Sequence, residues 1–129
     1  MARTGVVYHP IYMEHETDGH PERKERLTSA LDMIRSSGLE VEFVTPRPAT
    51  LEEVRMVHSP GYIDQVRAIS ERGGGYLDLD TVVSRRSYEA ALMAAGGVIT
   101  GIERVNDGLE NAFALVRPPG HHALPNRGM

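Results

Sequence analysis

One stretch near the end of the chain, residues 112–123, limits the possible folds more than any other. It begins with AFALV, an apolar run of the length of one buried strand. Two prolines and Gly120 then end the run, because proline cannot donate to a sheet ladder and glycine adopts backbone angles closed to other residues. His121 and His122 follow at once. The stretch therefore predicts a strand, a sharp bend and two adjacent imidazoles.

The position of the two histidines indicates a binding site, although a pair of ordinary surface-loop histidines would leave the same pattern. Adjacent side chains of a regular strand point to opposite faces, so two neighbouring histidines serve one site only where the backbone is irregular. The Pro-Pro-Gly sequence at 118–120 is suited to produce that irregularity. In open α/β sheets, ligand sites lie beyond the carboxyl ends of strands, which is where this pair stands.

Strand-like and helical patterns alternate along the rest of the chain. Strands are predicted at 5–8, 41–44 and 112–116, and helices at about 21–36, 51–57, 60–71 and 84–105. Pro21 suits the start of the first helix, and Thr50 with Glu53 forms a capping box before the second. Alternating strands and helices favour one α/β domain with a mainly parallel sheet.

The long helical pattern at 84–105 is apolar around most of its surface, which indicates burial on several sides against a sheet. Glycine weakens a helix, so we expect Gly96, Gly97 and Gly101 to allow close approach to a neighbouring element. Residues 9–19 are polar and rich in His, Glu and Asp, and they predict an exposed loop. The Arg-Gly-Gly-Gly sequence at 72–75 predicts a flexible loop.

RPPGHHA at 117–123 resembles the histone deacetylase family, which includes deacetylase-like amidohydrolases, acetylpolyamine amidohydrolases and acetoin-utilisation proteins. HPERKERL at 20–27 and YLDLDT at 76–81 resemble further stretches of that family. The resemblance implies a three-layer α/β/α, arginase-like fold with a mainly parallel sheet. Residues 1–129 would form the N-terminal part of such a catalytic domain, an incomplete one.

The resemblance implies that His121 and His122 are the catalytic pair. Hydrolysis of an amide needs a base that takes a proton from the attacking water and an acid that protonates the departing amine. Neutral imidazole can do the first and imidazolium the second near pH 7. Either histidine could be the base.

Asp80 and Arg26 are the predicted substrate-binding residues, again by resemblance. An aspartate matching Asp80 lies at the rim of the family's active-site tunnel and accepts hydrogen bonds from substrate backbone. An arginine matching Arg26 lies in an inner channel, where its planar guanidinium could hold an acetate product through two parallel bonds. Without the family, Asp80 would be interpreted as part of a solvated acidic loop and Arg26 as an exposed helical side chain. His20 is expected to be a structural or loop residue and not a ligand.

The resemblance implies zinc as the cofactor of the complete domain, bound by an Asp-x-His pair and a further aspartate that follow the RPPGHHA stretch. We therefore predict no metal ligand within residues 1–129, and expect this chain alone to be inactive. His9, His15 and His20 match none of the strong zinc signatures, and the chain has no cysteine.

Two functions stay open at this stage. The first is a zinc-dependent deacetylase acting on the acetyl or acyl amide of a lysine side chain, a polyamine or a small-metabolite amine. The second is a truncated, non-catalytic remnant that binds a partner or a complementing segment through an uncovered sheet edge, with self-association as one form of this.

Charge and hydropathy exclude two classes of partner. The net charge of −4 offers no general attraction to nucleic acid or to an anionic membrane. No stretch approaches the ~20 apolar residues that cross a bilayer. The first five residues show no apolar leader, and the absence of cysteine suits a reducing compartment, so we expect a cytoplasmic protein.

Overall fold

Five strands, four α-helices and one short 3-10 helix make up the computed structural model, which describes residues 3–129. The start of the chain at Met1 and Ala2, from which the absence of a leader was predicted, lies outside the described residues. The elements run in the order β1 (Thr4–Val7), 3-10 helix (Pro10–Glu14), α1 (Glu25–Ser36), β2 (Val41–Val44), α2 (Leu51–Arg55), α3 (Pro60–Glu71), β3 (Gly74–Asp78), β4 (Thr81–Ser84), α4 (Ser87–Asn106) and β5 (Asn111–Ala114).

The main sheet has three parallel strands in the order β2-β1-β5. Thr4 stands opposite Val41 on one side and Asn111 on the other, and the register continues unbroken to Val7. After β5 the ladder gains one more bond, because Leu115 N–H donates to the Val7 carbonyl at 2.9 Å. The predicted α/β domain with a mainly parallel sheet is confirmed.

Helices cover both faces of this sheet. Val6 lies in the buried core with Leu27 and Leu31 of α1. Val7 points to the opposite face, as successive strand residues do, and lies against α4 near Gly97. The result is three layers, with β1 as the central strand.

The α4 glycines allow the close approach that was expected of them. A methyl group on Gly97 would stand 2.8 Å from Tyr12 Oη and 3.0 Å from Val116 Cγ1. A methyl group on Gly96 would stand only 1.9 Å from the Arg47 carbonyl oxygen. Helix α4 therefore packs directly on the backbone of the segment that leaves β2.

The prediction of an exposed loop at 9–19 is wrong. This segment contains the 3-10 helix, and it packs into the core with Tyr12 fully buried and His15 and Thr17 buried. Tyr12 Oη donates to the Met93 carbonyl of α4 at 2.8 Å, and burial raises the pKa of this phenol well above its usual value. Polar composition misled the prediction because the buried polar groups here bind protein atoms: His15 contacts Ser87, and Thr17 Oγ1 donates to the Glu22 carbonyl.

Helix α1 begins at Glu25, not near residue 21 as predicted. Glu22 donates its backbone N–H to His20 Nδ1 at 2.9 Å and forms an ion pair with Arg117, so tertiary contacts hold this turn outside the helix. Helix α4 likewise begins at Ser87, because the residues from position 81 to 84 form a strand instead.

The flexible loop predicted at 72–75 is also wrong. Gly74 starts β3, which pairs with β4 as an antiparallel hairpin. Gly74 has a φ of +127°, and a methyl group there would stand 2.8 Å from the Val83 carbonyl oxygen. The glycines therefore allow close pairing of two strands at this point.

Other predicted boundaries agree closely with the structure. Strand β2 and helix α3 match the predicted ranges, and the capping box at Thr50 and Glu53 is present. Strands β1 and β5 each begin one residue earlier than predicted, and helix α2 ends at Arg55. Among residues 3–129, none of the helices is both long and apolar enough to cross a membrane.

Candidate functional site

A single buried arginine anchors the stretch that carries the two histidines. Arg117 follows the end of β5 and is 2% exposed. All five N–H donors of its guanidinium are used. Because the Arg117 guanidinium is buried and all its donors are hydrogen-bonded, it holds the start of the Pro-Pro-Gly bend against the protein interior.

Glu22 is the charge partner of Arg117. Its two carboxylate oxygens accept from Nε at 2.7 Å and from Nη2 at 2.8 Å, a bidentate arrangement. Burial alone would raise the pKa of Glu22, but the hydrogen bond and charge of Arg117 outweigh it and lower the pKa below its ordinary value. Glu22 is therefore ionised at neutral pH.

The remaining donors of Arg117 bind the segment between the 3-10 helix and α1. Nη1 donates to the carbonyls of Tyr12 at 2.9 Å and His15 at 2.8 Å, and Nη2 donates to Thr17 Oγ1 at 3.3 Å. One side chain thus joins the bend after β5 to residues about one hundred positions earlier in the chain.

His121 and His122 lie side by side beyond this anchor. Their ring centroids are 4.1 Å apart with an interplanar angle of 51°, and both residues are exposed. The backbone between β5 and the pair is irregular, because β5 ends at Ala114 and Ala123 N–H closes a turn onto the Gly120 carbonyl at 3.0 Å. The two side chains therefore need not point to opposite faces, as they would in a regular strand.

Asp80 lies at the turn between β3 and β4 with a side chain that is 88% exposed. His20 Nε2 is 3.0 Å from its Oδ1. The Asp80 backbone N–H donates to Asp78 Oδ1 at 2.8 Å, and this bond is the main cause of the lowered pKa of Asp78. Apart from the contact with His20, the Asp80 carboxylate is open to solvent and can accept hydrogen bonds from a ligand.

Arg26 lies in the first turn of α1 with an exposed side chain. Its charge helps to lower the pKa of Glu22. The described residues do not enclose its guanidinium, so the predicted role in an inner channel stays a prediction. The enclosed arginine is Arg117, which was not among the residues predicted from the sequence. Its position directly after the apolar run at 112–116 was the available signal, since a charge that is buried there needs a buried partner.

Residues 3–129 contain no group of three or more His, Asp or Glu side chains placed to hold a metal ion. Catalytic zinc normally takes three protein ligands. The described side chains alone therefore do not fit a zinc centre.

A buried histidine next to the anchor belongs to the scaffold. His15 Nδ1 is 2.7 Å from Ser87 Oγ, which also accepts the Ser84 backbone N–H at 2.7 Å. Burial first, and then the charge of Arg117, lower the pKa of His15 to about 4, so this imidazole is neutral.

The neutral state of His15 predicts acid sensitivity. Because its pKa is about 4 in the folded chain and 6.5 ordinarily, the unfolded chain binds the proton more readily between these values. We expect the free energy of unfolding to fall by about 1 kcal/mol per pH unit as the pH is lowered from 6.5 to 4.5. Urea denaturation at a series of pH values measures this slope.

The control for this prediction is His15→Gln. As the pH is lowered from 6.5 to 4.5, the difference in the free energy of unfolding between wild type and His15→Gln should shrink steadily. The lowered pKa of Glu22 changes the stability only below its ordinary pKa of 4.5. A constant difference from pH 6.5 to 4.5 would contradict the prediction.

Three comparisons with known proteins bear on this site. The histone deacetylase domain family matches residues 20–129. A probable deacetylase of Archaeoglobus fulgidus is 41% identical over 131 residues, which cover 97% of this chain and 36% of that protein. The human polyamine deacetylase HDAC10 is 40% identical over 133 residues, covering 92% of this chain and 20% of that protein.

The crystal structure of the HDA15 HD domain superposes with a TM-score of 0.92 at 31% identity. The match covers 99% of this chain and 38% of that one. The chain thus spans a little over a third of the archaeal relative and of the solved domain, and its fold is that of the corresponding part of an arginase-like deacetylase domain.

Proposed function

This chain belongs to the histone deacetylase family, and we propose that it forms the part of a deacetylase domain that carries the catalytic histidine pair. The observation that carries the proposal is the geometry of that pair: two imidazoles with centroids 4.1 Å apart, exposed at the end of a parallel strand and anchored by a buried arginine. The deacetylases among its relatives support the reaction class.

The proposed reaction is hydrolysis of an acyl amide. One histidine of the pair accepts a proton from the attacking water, whose oxygen bonds to the acyl carbon. The amide C–N bond then breaks, and the other histidine, as imidazolium, protonates the departing nitrogen. The products are a carboxylic acid and a free amine. Asp80 orients the substrate by accepting hydrogen bonds from the backbone of the substrate. Arg26 binds the released carboxylate.

The substrates we propose are amines that carry an acetyl or other acyl group: a lysine side chain, a polyamine or a small metabolite. The human relative is named a polyamine deacetylase. The archaeal relative is named only a probable deacetylase, with no substrate in its name. A panel of acetyl-lysine and acetylpolyamine reporters would rank these classes by kcat/KM.

We further propose that the reaction needs zinc held by side chains outside residues 3–129, since the described residues offer no three-ligand cluster. A chelator should abolish turnover by the polypeptide that carries this chain within a complete domain, and added zinc should restore it. The 129-residue chain by itself should bind no stoichiometric zinc and show no turnover. A tight one-to-one zinc site in the isolated chain would overturn this assignment.

The histidine pair provides the central test. In a polypeptide that deacetylates a reporter, His121→Ala and His122→Ala should each lower kcat/KM by about 100-fold or more, the usual contribution of a general acid or base. The matched control is Leu124→Ala, because its side chain is 51% exposed in the same segment. Unchanged rates in both histidine variants would end the proposal.

A second candidate function rests on the free edge of the main sheet. Strand β5 pairs with β1 on one side only, and Phe113 within β5 is 56% exposed. An apolar groove of about 240 Å³ lies between β5 and α4, lined in part by Val98 and Ile102, which are 49% and 58% exposed. We propose that this groove receives a further segment of a deacetylase domain, because the solved relative contains much more chain than the part matched here.

Sedimentation of the chain mixed with the remaining portion of the archaeal relative tests this docking. We expect a one-to-one complex that Ile102→Glu prevents and that Met56→Glu, a change at a residue 77% exposed outside the groove, leaves intact. A homodimer of this chain blocked by Ile102→Glu would assign the groove to a second copy instead.

A further inference from the structure

Both ring nitrogens of His20 are engaged. Nδ1 accepts the backbone N–H of Glu22 at 2.9 Å, so it carries no proton. A neutral imidazole has one donor and one acceptor, and the donor is therefore Nε2. Nε2 lies 3.0 Å from Asp80 Oδ1 and donates to it. The local backbone thus selects the tautomer that can bind Asp80.

Apart from His20, little holds the side chain of Asp80 in one orientation. Its side chain is 88% exposed at the tip of a hairpin, while that of His20 is 31% exposed. A carboxylate so open to solvent moves among several rotamers unless a rigid donor selects one. The imidazole of His20 is such a donor, because its own orientation is set by Glu22.

Glu22 connects this contact to the candidate catalytic pair. Its backbone N–H holds the His20 ring, and its carboxylate binds Arg117, from which the bend to His121 and His122 begins. Glu22 therefore contacts both parts of the site. It binds His20, the partner of Asp80 on the hairpin, and it binds Arg117, which follows β5.

We propose that His20 is a positioning residue that orients the Asp80 carboxylate toward the substrate. This inference rests on the proposed function, in which Asp80 binds substrate. A histidine that acts only on Asp80 affects substrate binding far more than the chemical step, so the expected signature is a change in KM with little change in kcat.

Two substitutions separate this role from a structural one. His20→Asn keeps an oxygen near the Nδ1 position for the Glu22 N–H but is too short to reach Asp80, whereas His20→Gln places an amide donor near the Nε2 position. We expect His20→Asn to raise KM about fivefold to tenfold with kcat within about twofold, which lies within the usual net contribution of a single hydrogen bond. His20→Gln should recover most of the loss.

Asp80→Ala makes the outcomes distinguishable. If Asp80→Ala and His20→Asn each raise KM, and His20→Asn adds nothing in the Asp80→Ala background, the inference holds; fully additive increases would overturn it. If Asp80→Ala raises KM and His20→Asn behaves as wild type, His20 is not a positioning residue and the role of Asp80 stands. If neither changes KM while His121→Ala still abolishes turnover, both roles at the hairpin fail and the proposed reaction survives.

A spectroscopic test needs no activity. In the 129-residue chain labelled with ¹⁵N, Asp80→Asn should shift the Nε2 resonance of His20 and leave Nδ1 nearly unchanged. A wild-type spectrum with the proton on Nδ1 would overturn the inference.

Discussion

Arg117→Ala is expected to lower the free energy of unfolding by about 3–5 kcal/mol, the cost of removing one partner from a buried ion pair. The guanidinium is 2% exposed and satisfies five bonds, so its loss leaves the Glu22 carboxylate and the carbonyls of Tyr12 and His15 without their donor. A domain has a total stability of about 5–15 kcal/mol, so the variant should lose a large fraction of it. Urea denaturation followed by circular dichroism measures the change.

A matched control distinguishes the effect of burial on stability from the effect of ion pairing. Arg47 also binds a glutamate with two bonds, both to Glu53 at 2.9 Å, but its side chain is 41% exposed. Arg47→Ala should cost much less stability than Arg117→Ala, because exposed ion pairs contribute little. Equal losses for Arg47→Ala and Arg117→Ala would contradict the argument from burial.

Charge alone does not explain the expected loss at Arg117. Arg117→Lys should recover only a minor part of the stability, since an ammonium cannot reproduce the planar five-donor fork. Glu22→Ala should cost less in the Arg117→Ala background than in the wild type, because the two residues act as one unit. A lysine variant as stable as wild type would show that the bidentate geometry is not needed.

Gly96→Ala is the second change with a large expected effect. The added methyl carbon would lie 1.9 Å from the Arg47 carbonyl oxygen and 2.6 Å from the Ala49 amide nitrogen, so backbone atoms, not flexible side chains, would have to move. We expect a loss of at least about 3 kcal/mol, the upper end of the usual range for overpacking. Thermal and urea denaturation both report it.

Gly61→Ala is the control for this substitution. Gly61 also lies inside a helix, α3, and nothing stands within 4 Å of the position of the added methyl group. Alanine is intrinsically the better helix former, so this variant should be slightly more stable than wild type, by up to about 1 kcal/mol. Loss of stability in Gly61→Ala, or none in Gly96→Ala, would rule out the steric explanation.

Sequence patterns alone were enough to predict the parallel sheet, helix α3 at Pro60–Glu71 and the capping box before α2. These features depend on local rules: apolar runs that form strands, proline at the start of a helix, and a side-chain oxygen that satisfies a free N–H group. The bend that brings His121 and His122 together was also predicted locally, since prolines and glycine act on their own backbone.

Only the tertiary structure decided that the polar segment 9–22 packs against the core and that the glycines at 72–75 lead into a strand. Burial of the Arg117 guanidinium requires acceptors, and those come from Glu22 and from carbonyls about one hundred residues away, which no local pattern encodes. Gly74 forms a strand because β4 is present to pair with it. Local rules therefore determined which segments form strands and helices, while long-range satisfaction of charge and hydrogen bonds decided where the polar side chains lie and how the candidate site is held.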